Sequence, residues 1–176
     1  MTEIRVTGGE LRGRRLHVPR RGVRPTTGMI REAIFSMLGS VEGARVVDLF
    51  AGTGALAIEA LSRGAAQATL VDTNPAAARR NLEALALSDR AAAMRDDVAR
   101  YLRRAGAGTF DLVLCDPPYR LADRLAAELD PLIRAALAER GRVMVETSPD
   151  RPLPLQLPLI NERAHGDTLI QIRGAR

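Results

Sequence analysis

The stretch "RVVDLFAGTGALAIEALSRGAAQATLVD", residues 45–72, decides the architecture. It runs from a short apolar segment ending in an acid, through a glycine-rich turn, into a helical pattern, and out into a second short apolar segment that also ends in an acid. Five apolar runs of strand length follow one another from residue 45 on: "RVVDLF", "ATLVD", "AAAMRD", "FDLVLCD" and "GRVMVE". Helical patterns separate them, around Leu56 to Arg63, Asn74 to Leu87, Val98 to Ala105 and Leu121 to Ala138. Strands alternating with helices imply an α/β fold with a parallel sheet covered on both faces. "PLPLQLP" reads as a connector, and "LINERAHGDTLIQIR" as a hairpin turning at Gly166 and Asp167, which adds antiparallel strands at one edge.

Upstream of this body, "EIRVTGGELRGRRLHV" reads as two short strands, from Ile4 and from Arg14, joined through Gly8 and Gly9. "RPTTGMIREAIFSML" then starts a helix with Thr26 or Thr27 as N-cap and Ile30, Ile34, Met37 and Leu38 at helical spacing. The expected organisation is a basic N-terminal hairpin and helix over residues 1–39 and a Rossmann-like domain over 40–176.

Composition narrows the function classes. The chain has 176 residues, 46% hydrophobic and 27% charged, which suits one folded globular domain. Its single cysteine, Cys115, lies within an apolar run, so no disulfide framework forms and a buried, inert thiol is expected. His17 and His165 stand far apart and no cysteine cluster exists, so no metal is expected. The start "MTEIRVTGGE" has no apolar signal core, and no run is long enough to span a membrane, so a cytoplasmic protein is expected.

Charge is segregated. Residues 1–39 hold eight arginines and three acids, whereas the remainder has 18 of each, so the net charge of +5 resides in the N-terminal segment. A solvated basic face would be the plainer explanation. Arginine is nonetheless the side chain best suited to bidentate phosphate contacts, and a basic segment beside a neutral body favours nucleic acid. Arg12, Arg14, Arg15, Arg24 and Arg31 are the candidate nucleic-acid contacts.

In an open parallel sheet, ligands bind beyond the carboxyl ends of the strands, where the strand order reverses. "DLFAGTGAL", Asp48 to Leu56, places Gly52 and Gly54 there, at the opening of a helix. Asp72 ends the next strand about twenty residues on, where an acid can accept from ribose hydroxyls. Nicotinamide dinucleotide and S-adenosylmethionine both suit this pair of features. Asp96 or Asp97 ends the third strand, where a carboxylate can accept from an adenine amino group or cap a helix.

The fourth strand separates the two cofactors, because it ends in "DPPY", Asp116 to Tyr119. Hydride transfer has no use for these residues, and the chain offers no tyrosine–lysine or histidine–acid pair to run it. Methyl transfer to an exocyclic amine does use them. A ring amine delocalises its lone pair and is a poor nucleophile until acceptors hold its two protons. Asp116 provides a carboxylate, and Pro117 and Pro118 provide rigid carbonyls without competing N–H donors. Tyr119 provides a face on which an unstacked base can rest.

Five motifs in order, "GELRGRRL", "RPTT..IREAIF", "DLFAGTGALAIEALSRGAA", "FDLVLCDPPY" and "GDT", resemble the bacterial 16S rRNA guanine-N2 methyltransferases of the RsmD type. The resemblance covers nearly the whole chain. It implies a class I S-adenosylmethionine-dependent methyltransferase fold, with a mostly parallel seven-stranded sheet, a C-terminal antiparallel hairpin and a small N-terminal β-hairpin and helix for RNA. It also implies S-adenosylmethionine as cofactor and small-subunit rRNA as partner, within a partly or fully assembled 30S particle. By the same resemblance Asp48, Gly52 and Gly54 surround the methionine part of the cofactor, Asp72 its ribose and Asp97 its adenine, while Asp116, Pro117, Pro118 and Tyr119 take the target base. Gly28 stands where the family usually has an acid, and His165 where an aromatic usually precedes "GDT". Two rivals remain open: a DNA adenine-N6 methyltransferase, and a ribosome-assembly factor that binds RNA without catalysis.

Overall fold

The structure is a computed structural model that describes residues 4–19, 27–118 and 122–174, with 122–125 described as backbone only. It opens with strands β1 (Ile4–Arg5) and β2 (Arg15–Leu16), paired antiparallel with Ile4 opposite Leu16, and helix α1 (Gly28–Leu38). Alternating elements follow: β3 (Arg45–Leu49), α2 (Ala55–Ser62), β4 (Gln67–Asp72), α3 (Ala76–Ala84), β5 (Ala91–Arg95), α4 (Val98–Arg104), β6 (Phe110–Cys115) and α5 (Ala122–Ala136). The chain closes with β7 (Leu137–Thr147), β8 (Leu159–His165) and β9 (Thr168–Gly174).

Seven strands form one sheet in the order β5-β4-β3-β6-β7-β9-β8. The first five run parallel, and β9 pairs antiparallel with both β7 and β8. The order reverses between β3 and β6, and Leu49 lies opposite both Val71 and Cys115, so the strands end level on either side of the switch point. This is the Rossmann-like sheet with a C-terminal antiparallel hairpin that the alternation implied.

Strand alternation builds two cores. Leu112, Leu114, Met144, Ile170 and Ile172 face a layer that holds α1, α2 and α3, whereas Val113, Cys115, Val143 and Val145 face α4, α5 and Leu153. Burial on both faces explains why these strands read as continuous apolar runs. The N-terminal hairpin joins the first core through Ile4, Val6 and Leu16, each at most 6% exposed. Burying an aliphatic side chain of this size contributes about 1.5–3 kcal/mol, so the hairpin is fastened by more than its own two pairs of residues.

Some boundaries differ from expectation. Strand β7 starts at Leu137, directly after α5, rather than at Gly141; the register against β6 shifts between Phe110 and Leu112. An added Cβ at Gly141 would lie 2.7 Å from the Leu137 side chain, so glycine lets Leu137 fold back over the irregular start of the strand. The hairpin loop spans residues 6–14 rather than a tight turn at Gly8 and Gly9. Those two glycines instead lie against α2: an added Cβ at Gly9 (φ +76°) would stand 1.7 Å from the Ser62 carbonyl oxygen. The α1 N-cap is Thr27, whose hydroxyl accepts from the Ile30 N–H.

Candidate active site

The glycine loop after β3 is shaped by backbone that only a few residue types adopt easily. Phe50, Gly52 and Gly54 have φ of 65°, 54° and 78°. The glycines take this conformation freely, whereas a bulky aromatic there carries strain of order 1–3 kcal/mol, a feature that clusters at functional sites. An added Cβ at Gly54 would come within 2.6 Å of Leu70, so the close seat of the α2 N-terminus on β4 also requires glycine.

Glycine at the N-cap cannot cap with a side chain, and a buried carboxylate does so instead. Asp48, 1% exposed, accepts from the Ala57 N–H in the first turn of α2 at 3.1 Å. Burial pushes its pKa up to about 8 against the lowering effect of the Ala57 N–H, and the neighbouring charges of Asp116 and Asp72 push in the same direction as burial. Asp48 therefore lies beneath the loop and supports it, rather than presenting its carboxylate on the surface. Asp72 accepts from the Gly52 N–H and from the Asn74 N–H, both at 2.8 Å.

Beyond β5, Asp96 accepts from the Asp97 N–H and is ion-paired with Arg104 and Arg100. Asp97 is exposed and caps α4 by accepting from the Arg100 N–H at 2.9 Å. Beyond β6, Asp116 is half-buried, Pro117 buried and Pro118 exposed; Cys115 before them is fully buried, and burial raises its pKa strongly, so its thiol stays protonated. The sheet thus carries Asp48, Asp72, Asp97 and Asp116 to one edge, together with Gly52 and Gly54. Tyr119 and Arg24 lie outside the described residues.

Arg12, Arg14 and Arg15 are exposed on the hairpin, and Arg14 donates to the Ala84 carbonyl at the end of α3. Arg31 corrects the sequence-based expectation of an RNA contact. It is 1% exposed, donates to the Arg5 carbonyl and lies 3.6 Å from Glu59 on α2, so a phosphate cannot reach it. Burial lowers its pKa, opposed by Glu59 and Glu146.

Sequence reasoning also missed Glu59 and Asn81. Glu59 is fully buried and accepts from the Thr7 N–H and hydroxyl, the Gly8 N–H and Arg63. Asn81 is bonded both to His17 and to the glycine loop. The signal was there: an acid inside the apolar run "ALAIEALS", and an asparagine on the stripe of Ala78, Leu82 and Leu85, call for buried partners. Among the described residues no group of His, Cys, Asp and Glu is arranged to hold a metal, and no helix is long and apolar enough to cross a membrane.

Comparison with known proteins accords with this geometry. Residues 4–173 match the model of the family described as Conserved hypothetical protein 95. The chain belongs to this RsmD-type family. It is 37% identical over 158 residues to "Ribosomal RNA small subunit methyltransferase D" of Escherichia coli, covering 86% of this chain and 78% of the relative. It is also 37% identical to "Putative rRNA methyltransferase YlbH" of Bacillus subtilis, covering 86% of each. The solved structure described as a putative methyltransferase yhhF from Escherichia coli superposes with a TM-score of 0.82 at 33% identity, over 99% of this chain and all of that one. The RsmD-type family thus spans the N-terminal hairpin as well as the sheet, and the hairpin belongs to the common fold.

Proposed function

We propose that this protein methylates the exocyclic N2 amine of a guanine in small-subunit rRNA, with S-adenosylmethionine as donor, in the cytoplasm. The names of its RsmD-type relatives support the substrate class. The observation that carries the cofactor assignment is electrostatic. Asp72 and Asp116 both act electrostatically on buried Asp48 at the switch point, and Asp72 already takes the Gly52 N–H that a pyrophosphate would need. A dinucleotide would bring negative charge to the Asp72 and Asp116 carboxylates, whereas a ligand with a sulfonium and an ammonium is attracted to them.

In this assignment Gly52 and Gly54 allow close backbone approach, Asp48 holds the loop from beneath, Asp72 accepts from the ribose and Asp97 from the adenine. The cofactor supplies a methyl group already activated by positive sulfur. The chain's own residues prepare the acceptor. Asp116 and the carbonyls of Pro117 and Pro118 accept hydrogen bonds from the two amine N–H groups, which frees the nitrogen lone pair to take the methyl as its bond to sulfur breaks; the one surplus proton on nitrogen passes to the Asp116 carboxylate and on to solvent, and Tyr119 supports the base. Positioning and electrostatics then carry the step, with no acid catalyst needed. Arg12, Arg14 and Arg15 hold RNA phosphates; the partner is small-subunit rRNA within a partly or fully assembled 30S particle.

Calorimetric titration with S-adenosylhomocysteine and with NAD tests the cofactor assignment. S-adenosylhomocysteine is expected to bind and Asp72→Ala to weaken it at least tenfold, a loss of about 1.4 kcal/mol. NAD binding more tightly than S-adenosylhomocysteine would overturn it.

A further inference from the structure

Asn81 sits on α3, 2% exposed, with every N–H of its amide used. Its Oδ1 accepts from the His17 N–H at 2.7 Å, and its Nδ2 donates to the His17 carbonyl at 3.0 Å and to the Thr53 carbonyl at 2.9 Å. His17 directly follows β2 and the exposed Arg14 and Arg15. Thr53 lies between Gly52 and Gly54 in the cofactor loop. One planar side chain therefore joins the backbone of the arginine-bearing hairpin to the backbone of the loop, across 64 residues on one side and 28 on the other.

The loop has little freedom to move independently of α3. An added Cβ at Gly54 would already stand 3.4 Å from Ala78, one turn before Asn81, and Ala78 is fully buried. A ligand that shifts or holds the Thr53 carbonyl therefore acts through the amide on the His17 backbone. A second ligand that contacts the hairpin then meets it in the position that the first one favours.

We infer that Asn81 is a positioning residue that makes cofactor binding and RNA binding strengthen each other. The inference rests on the assignment of the loop to S-adenosylmethionine and the hairpin to rRNA. It assigns Asn81 no contact with either ligand. A residue that merely stabilised the fold would change both binary affinities and leave their coupling intact.

The test is a binding cycle on the full-length protein. Affinity for undermethylated small subunits is measured without and with saturating S-adenosylhomocysteine, for wild type, Asn81→Ala and Asn81→Asp. In the wild type the cofactor product is expected to tighten subunit binding about fivefold or more. In both variants the ratio is expected to fall to near one, with circular dichroism matching wild type. A ratio of one in the wild type, or an undiminished ratio in folded variants, overturns the inference. If neither variant folds, hydrogen exchange on the wild type decides: S-adenosylhomocysteine should slow exchange at the His17 amide together with the loop amides, and protection confined to the loop overturns it. Methyl transfer to the subunits is followed in parallel. A wild type that methylates rRNA but shows no coupling defeats this inference alone, whereas one that neither binds S-adenosylhomocysteine nor methylates rRNA defeats the functional assignment and this inference with it.

Discussion

Asp48 is a carboxyl whose environment makes its charge costly, and the cost has a sign. Its pKa rises from an ordinary 3.8 to about 8 on folding, chiefly through burial. Between those values the folded chain holds a proton that the unfolded chain has released, so this group's contribution to stability falls as pH rises from about 4 to about 8 and is flat above. Urea unfolding across that range should show a declining stability that Asp48→Asn flattens; an identical slope in the variant would place the titration elsewhere. Asp116 belongs to the other half of the site. Asp116→Ala should lower methyl transfer at least a hundredfold while S-adenosylhomocysteine binds within threefold of wild type, because in the proposed mechanism the carboxylate acts on the base and not on the cofactor. Single-turnover transfer close to wild type would remove the proposed acceptor role.

At the scale of elements, two contacts with α2 help to hold the hairpin on the body. Gly9→Ala and Gly13→Ala both place a Cβ at positive φ, but Gly13 has nothing within 4 Å, whereas at Gly9 the Cβ would meet the Ser62 carbonyl oxygen at 1.7 Å. Gly13→Ala should therefore cost about 1 kcal/mol and Gly9→Ala clearly more, which differential scanning calorimetry resolves as a larger fall in Tm. Glu59→Ala strips an acceptor from Thr7, Gly8 and Arg63 and an ion-pair partner from buried Arg31, a change that costs about 3–5 kcal/mol. The strands and helices from Arg45 to Ala136 were legible in the sequence because burial on both faces turns β3, β4 and β6 into near-continuous apolar runs, while β5, at the sheet edge with no buried residue, is legible only from its short run of alanines and Met94. The start of β7 was not, because Leu137 to Arg140 carry no strand signal of their own and take their place from Gly141 and the pairing with β6. Arg31 was misread for a related reason: arginine in a basic segment looks like surface, and only the tertiary placement of Glu59 and the Arg5 carbonyl makes it interior. The carboxylates and glycines at the switch point could be found from strand ends alone, since the sheet fixes where those ends meet.

At the scale of the whole molecule, the net charge of +5 resides in residues 1–39, and Arg12, Arg14 and Arg15 are its exposed representatives on the hairpin. Replacing all three by alanine should weaken binding to small subunits and flatten its salt dependence by about 0.7–0.9 log units for each phosphate no longer neutralised, with S-adenosylhomocysteine affinity unchanged. An unaltered salt slope would make these arginines a solvated face. Deleting the hairpin cannot replace these point substitutions, since Ile4, Val6 and Leu16 complete the core beneath α1 and α2.

Purified protein and labelled S-adenosylmethionine are incubated in parallel with undermethylated small subunits, free 16S rRNA and duplex DNA, and the products are digested to nucleosides and identified by mass spectrometry. The expected product is N2-methylguanosine from the subunits. Label in N6-methyladenine from the DNA, with none in either RNA sample, would contradict the RNA assignment and leave only the amine-activating role of Asp116, Pro117 and Pro118.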